Sequence, residues 1–129
     1  MGTDKTKERS TILIVDDSEM NREMLSEILR DDYNTLEAAD GAEAVAVLKE
    51  HEHDIDLVLL DIIMPGMDGF EVLSIMNRYN WIEYIPVIMI SSEGDFSYIK
   101  KAYDLGATDY IRRPYQSYTI HRRIGNTLM

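Results

Sequence analysis

Three carboxylates, two hydroxyls and a pair of cations stand in one repeated relation to their surroundings: each directly follows an apolar run. Ile12-Leu13-Ile14-Val15 ends in Asp16-Asp17, and Leu57-Val58-Leu59-Leu60 ends in Asp61. Val87-Ile88-Met89-Ile90 ends in Ser91-Ser92, and the run from Ala107 ends in Arg112-Arg113-Pro114. If the runs lie side by side, these polar groups gather on one edge. Carboxylates a few ångströms apart repel by several kcal/mol per pair at an effective dielectric of ~20, and a divalent cation that prefers oxygen relieves the repulsion. Carboxylates, a carbonyl and waters suit Mg2+. A carboxylate in such a setting can attack phosphorus and form an acyl phosphate. A metal and a fixed cation then neutralise the equatorial oxygens while a hydroxyl donates to one of them.

The elements that must position these groups follow from periodicity. The run at residues 12–15 is rich in β-branched residues and reads as a strand buried on both faces. From Ser18 to Arg30, Met20, Met24, Leu25, Ile28 and Leu29 recur at helical spacing. Tyr33 to Ala38 alternates as a more exposed strand that ends in nothing polar. Asp40 with Glu43 resembles a capping box, opening a helix that carries Ala44, Val45, Val47 and Leu48. Residues 57–60 form a buried strand, and Pro65-Gly66-Met67-Asp68-Gly69 reads as a loop. A third helix spans Phe70 to Tyr79. Pro86 opens the strand Val87–Ile90, and a fourth helix runs from Asp95 to Leu105 with Gly106 at its left-handed cap. Ala107 to Arg112 is the last strand, and Ser117 to Leu128 the last helix. Five such units in series predict a doubly wound α/β fold, a five-stranded parallel sheet with helices on both faces. Ligands of such sheets bind beyond the carboxyl ends of the strands, where the polar groups collect.

Length and composition set the frame. One domain, over 11–129, accounts for the 129 residues, with 1–10 as a disordered leader. The net charge of −11 argues against a nucleic-acid surface and favours partners with basic patches, or a cation held among carboxylates. Cysteine is absent, which removes disulfides, thiolate metal sites and thiol catalysis and suits the cytoplasm. No apolar stretch reaches the ~18 residues that span a bilayer. The charged N-terminus is no signal peptide, and Met1-Gly2 through Thr6 matches a myristoylation pattern only formally.

Four segments, in order, resemble the receiver domains of two-component response regulators: Ile14-Val15-Asp16-Asp17; Asp61 through Gly69; Pro86 through Ser92; and Gly106 through Pro114. The resemblance covers Thr11 to about Leu128. It implies the flavodoxin-like strand order 2-1-3-4-5, which periodicity alone does not give. It also implies that Asp61 accepts a phosphoryl group from a histidine kinase, a phosphotransfer protein or a small phosphodonor. Asp17 and Asp61 would ligate Mg2+ directly, Asp16 through water, and the Ile63 backbone carbonyl would complete the protein ligands. Ser91 corresponds to the hydroxyl that bonds the phosphoryl group, and Tyr110 to the aromatic that changes rotamer on activation. Where the family has Lys before Pro, this chain has Arg113, a wider planar cation.

The resemblance implies a phosphorylation-driven binding switch, not an enzyme acting on an outside substrate. An aspartyl-phosphate phosphatase of the haloacid-dehalogenase type would need Asp-x-Asp, and Asp61 is followed by Ile62-Ile63. A degenerate, unphosphorylated docking or dimerisation module finds its support in Arg113 alone. The face of the fourth helix, fifth strand and fifth helix is the expected output surface, with Lys100-Lys101 and His121-Arg122-Arg123 offering cations to a partner or a two-fold dimer. The apolar stripe Ile120, Ile124, Leu128 continues to the penultimate residue, which suggests a downstream output domain beyond this chain. Simpler roles stand beside these. Asp16-Asp17-Ser18 could cap the first helix, Tyr110 could be a packed core aromatic, and Arg113 a solvated charge. The eight methionines read as core filling, His51 and His53 as a frayed helix end, and Trp81 as a loop anchor.

Overall fold

A strand with every residue buried needs cover on both faces, and two strands of this chain meet that condition: β3 (Leu57–Asp61) and β4 (Val87–Ser91). In the computed structural model, which describes residues 9–129, they lie beside each other in a five-stranded sheet. The other strands are β1 (Thr11–Val15), β2 (Asn34–Ala38) and β5 (Asp109–Arg112). The order is β2-β1-β3-β4-β5, and every pairing is parallel. The helices between are α1 (Glu19–Leu29), α2 (Gly41–His51), α3 (Gly69–Arg78), α4 (Phe96–Asp104) and α5 (Ser117–Leu128), with a short 3-10 turn at Trp81–Glu83.

The period-two alternation of the strands divides the core. Leu13, Val15, Val58, Leu60, Val87 and Met89 pack toward α2, α3 and α4, meeting Ala44, Leu48, Leu73 and Ala102. Ile12, Ile14, Leu57, Leu59, Ile88, Ile90 and Ile111 point the other way, against Leu25 and Leu29 of α1 and Ile120 and Ile124 of α5. The expected doubly wound architecture and strand order are both present. Truncating a fully buried side chain in either layer, such as Leu59→Ala, removes about 2–5 kcal/mol. No helix among the described residues is long and apolar enough to cross a membrane.

Helix starts are set by side-chain caps, each supplying an acceptor to a backbone N–H that has no partner within the helix. Ser18, Asp40 and Asp95 accept from Asn21, Glu43 and Ser97 respectively. At α2 the expected box is rearranged, because the Glu43 carboxylate accepts from the Ala39 N–H at 2.5 Å and not from Asp40. The full box lies instead at α3, where Asp68, near the end of the stretch that reads from sequence as loop, pairs with Glu71 of the helix. Strand β5 starts at Asp109 and not at Ala107, because the Ala107 N–H still closes the turn of α4 by donating to Ala102.

Some side-chain expectations need correction. Met20 and Met24 are 71% and 49% exposed, so methionine is not core filling on α1, whereas Met64, Met76 and Met89 are buried. Trp81 is buried and donates its indole N–H to the Glu52 carboxylate at 2.9 Å, as befits an anchor. His51 pairs with Asp54, and His53 stacks on Tyr84. The myristoylation pattern and residues 1–8 of the expected leader lie outside the described residues. Ser10 accepts from the Asn34 N–H at 2.9 Å, immediately before β1.

Candidate functional site

Parallel strands in level register deliver their C-terminal residues to one place. Val15 pairs with Leu60, Asp61 with Ile90, and Ser91 with Arg112, so the residues that end or follow β1, β3, β4 and β5 share one edge of the sheet. Among the described residues, Asp16, Asp61 and Ser91 are the buried polar or charged ones, at 1%, 7% and 1% exposure. Burying two carboxylates side by side is costly unless something compensates them. Asp17 is exposed, yet one carboxylate oxygen from each of Asp16, Asp17 and Asp61 lies within 4.8 Å of the others.

Arg113 supplies part of the compensation. Its Nη2 pairs with Asp16 Oδ2, and its Nη1 reaches Asp61 Oδ1 at 3.3 Å. Its Nε is buried without a hydrogen-bond partner. The reading of Arg113 as a solvated charge is therefore wrong. Even with this cation, the Asp61 carboxyl is pushed up to about 6, first by burial and then by the negative charge of Asp16, with Arg113 acting in the opposite sense. The cluster carries more negative charge than the chain's own cation neutralises.

The surrounding bonds hold the loops in place. Asp16 Oδ1 accepts from the Ser18 N–H at 2.9 Å, so Asp16 shapes the entry to α1 while Ser18 alone caps it. Arg22 of α1 donates to the Asp16 carbonyl at 2.7 Å and pairs with Glu37 of β2 at 3.1 Å, fixing the backbone behind the acidic pair. Ser91 Oγ accepts from the Glu93 N–H at 3.1 Å. Ser92 is exposed and lies beside Arg113 on the wall of a cavity of about 320 Å³. Ile63 follows Asp61 by two residues, its side chain turned to solvent. Tyr110 belongs to the core and donates its hydroxyl to the Glu93 carbonyl at 2.5 Å, which ties β5 to the loop after β4. Its phenol is raised by burial, with the Ser91 hydroxyl opposing.

Two residues that shape the site carry no chemistry of their own and drew no functional reading from sequence. A Cβ on Gly69 would collide with the Asp61 carbonyl oxygen and approach Ile62 Cα to 2.9 Å, so only glycine lets α3 begin this close to the end of β3. The Gly69 N–H donates to the Ile62 carbonyl at 2.8 Å across the same gap. Gly94 lies under the Arg112 side chain, where a Cβ would come within 2.7 Å of Nη2. Glycine in a βα loop is the one available signal, and it cannot say which neighbour requires it.

Comparison with known proteins bears directly on this arrangement. A family model described as the response regulator receiver domain matches residues 12–125. The chemotaxis protein CheY of Halobacterium salinarum is 40% identical over 118 residues, covering 91% of this chain and 95% of that protein. A probable cyclic di-GMP phosphodiesterase of Vibrio cholerae is 39% identical over 104 residues, which is 81% of this chain but 23% of that protein. Among solved structures, the CheX-CheY-BeF3-Mg+2 complex from Borrelia burgdorferi superposes with a TM-score of 0.87 at 35% identity, covering 93% of this chain and 90% of that one.

Proposed function

The chain belongs to the response regulator receiver domain family, and from that premise we propose that Asp61 accepts a phosphoryl group beside a bound Mg2+ and thereby switches a binding surface. The observation that carries the proposal is the convergence of Asp16, Asp17, Asp61 and Arg113 where strands end, with Asp61 of raised proton affinity at their centre.

The donor set fits Mg2+. All three side chains offer hard oxygen ligands within reach of one ion, and burial and the Asp16 charge, which lift Asp61 in spite of Arg113, favour a further cation there. Asp17 and Asp61 would hold the ion directly, Asp16 through water, and the Ile63 carbonyl from the loop. Bound there, it would supply positive charge to offset that on the transferring phosphoryl oxygens.

The chain's own groups supply the rest. A carboxylate oxygen of Asp61 attacks phosphorus, and the bond from phosphorus to the donor breaks with its electron pair leaving on the donor atom. For a phosphohistidine donor that atom is an imidazole nitrogen, which takes a proton from solvent. The donor is a histidine kinase, a phosphotransfer protein or a small phosphodonor, in keeping with membership of the receiver family. In the metal-free protein Arg113 holds a positive group against the acceptor, and Ser91 provides a hydroxyl one strand away. Reorganisation at Ser91 is felt at Tyr110, because both bond to Glu93, one at its N–H and the other at its carbonyl. The output surface is then α4, β5 and α5, where Lys100–Asp104 and Arg123–Asp109 pair at 2.6 and 2.7 Å. A homodimer through that face, or a separate output partner, would read the change.

Acetyl phosphate with Mg2+, followed by intact mass, tests the proposal. One added phosphoryl group is expected on the wild type and none on Asp61→Asn. No addition to the wild type would leave a docking module, and a label on a serine or histidine would overturn the mechanism.

A further inference from the structure

Arg113 occupies its position in a way that a lysine could not. A lysine ammonium is one point of charge on a flexible stem, whereas a guanidinium is a planar fork that can hold two acceptors at once. Here the fork is spread across the site, one amino nitrogen on Asp16 and the other on Asp61. To make both contacts the side chain buries its Nε with no partner, an unfavourable state that leaves one N–H stripped of water. Beside the guanidinium lies the cavity of about 320 Å³, lined by Asn21, Met24, Ser92, Pro114 and Tyr115. It offers room outside the acidic pair, with an amide and a hydroxyl as acceptors and an aromatic ring as a face for a cation.

We propose that Arg113 is an internal counter-cation: it holds Asp16 and Asp61 in the metal-free protein and withdraws toward the neighbouring cavity when a divalent cation takes the cluster. The inference rests on the reading of that cluster as the Mg2+ site. Two positive centres cannot share carboxylate oxygens a few ångströms apart in a buried setting without strong repulsion. Binding of the metal therefore has to break one or both arms of the fork, and Arg113 sets the divalent-cation affinity of the domain. A single-point cation would contest one carboxylate at a time and compete less.

Mn2+, whose free form is counted by its electron paramagnetic resonance signal, gives a readout independent of phosphorylation. The full chain is titrated as wild type, Arg113→Lys, Arg113→Gln and Asp17→Asn, with Mg2+ as competitor. Arg113→Gln should bind at least about tenfold more tightly than wild type, and Arg113→Lys should fall between them. In the wild type the Arg113 Nε–H resonance should shift as Mg2+ saturates the site. Equal or weaker binding by Arg113→Gln, with Asp17→Asn clearly impaired, would overturn the counter-cation while leaving the metal site intact. Absence of binding in every variant would overturn the metal site itself. Should Arg113→Gln not fold, Arg113→Lys decides: affinity no tighter than wild type would overturn the proposal.

Discussion

Replacing Asp61 by Asn should stabilise the metal-free protein, and the gain should appear only as pH rises. The Asp61 carboxyl sits at about 6 in the folded chain against 3.8 for the unperturbed group. Between those values the folded state binds more protons than the unfolded one, so this group's contribution to stability falls as pH climbs from about 4 through 6. At 1.36 kcal/mol per pKa unit the shift corresponds to about 3 kcal/mol above pH 7. Solvent screening around the cluster reduces that to about 2 kcal/mol, the pull of Arg113 being already contained in the value of about 6. Asn is neutral and nearly isosteric and leaves Arg113 paired with Asp16. Thermal or urea unfolding in EDTA, at several pH values from 4.5 to 8, should therefore show the two proteins converging at the acidic end. By pH 8 the mutant should lead by about 8 °C, at roughly 4 °C per kcal/mol for a domain of this size. Added Mg2+ should close the gap by raising the wild type, because a ligand that binds only the folded state stabilises it. A gap independent of pH, or a mutant less stable at pH 8, would refute the electrostatic account of the site.

Two further substitutions probe the scaffold. Gly69→Ala should cost about 1–3 kcal/mol by overpacking against the backbone of Asp61 and Ile62, and it should slow phosphorylation as well. Gly66→Ala meets open space, so only its φ of +76° opposes it and the loss should stay near 1 kcal/mol with the reaction rate unchanged; equal rates for both variants would refute the positioning role of Gly69. Tyr110→Phe should lose about 1 kcal/mol with the hydroxyl's bond to the Glu93 carbonyl, and amide exchange in residues 92–95 should quicken. Unchanged exchange there would mean that β5 does not hold that loop.

What the sequence made legible depended on whether one physical rule governed the position. The strands could be read because residues such as Leu57 to Leu60 must be apolar throughout when both faces of a sheet are covered. The candidate site could be read because parallel strands end together, which turns the residue after each apolar run into a neighbour of the others. Asp16, Asp61, Ser91 and Arg113 became a group on that basis, before any distance was known. Legibility was lower where separate rules met at one residue. The stretch 65–69 holds turn chemistry and a helix cap together; turn residues dominate its composition and hide the capping role of Asp68 toward Glu71 in the helix that follows. Arg113 has a side chain long enough for solvent or for the cluster, and no local pattern distinguishes the two. The decision lies with Asp16 and Asp61, 97 and 52 residues earlier in the chain. Their surplus negative charge draws the guanidinium inward even though its Nε then goes unpaired. That choice is settled by the summed electrostatics of the assembled edge, a quantity that exists only after four strands have been brought into register.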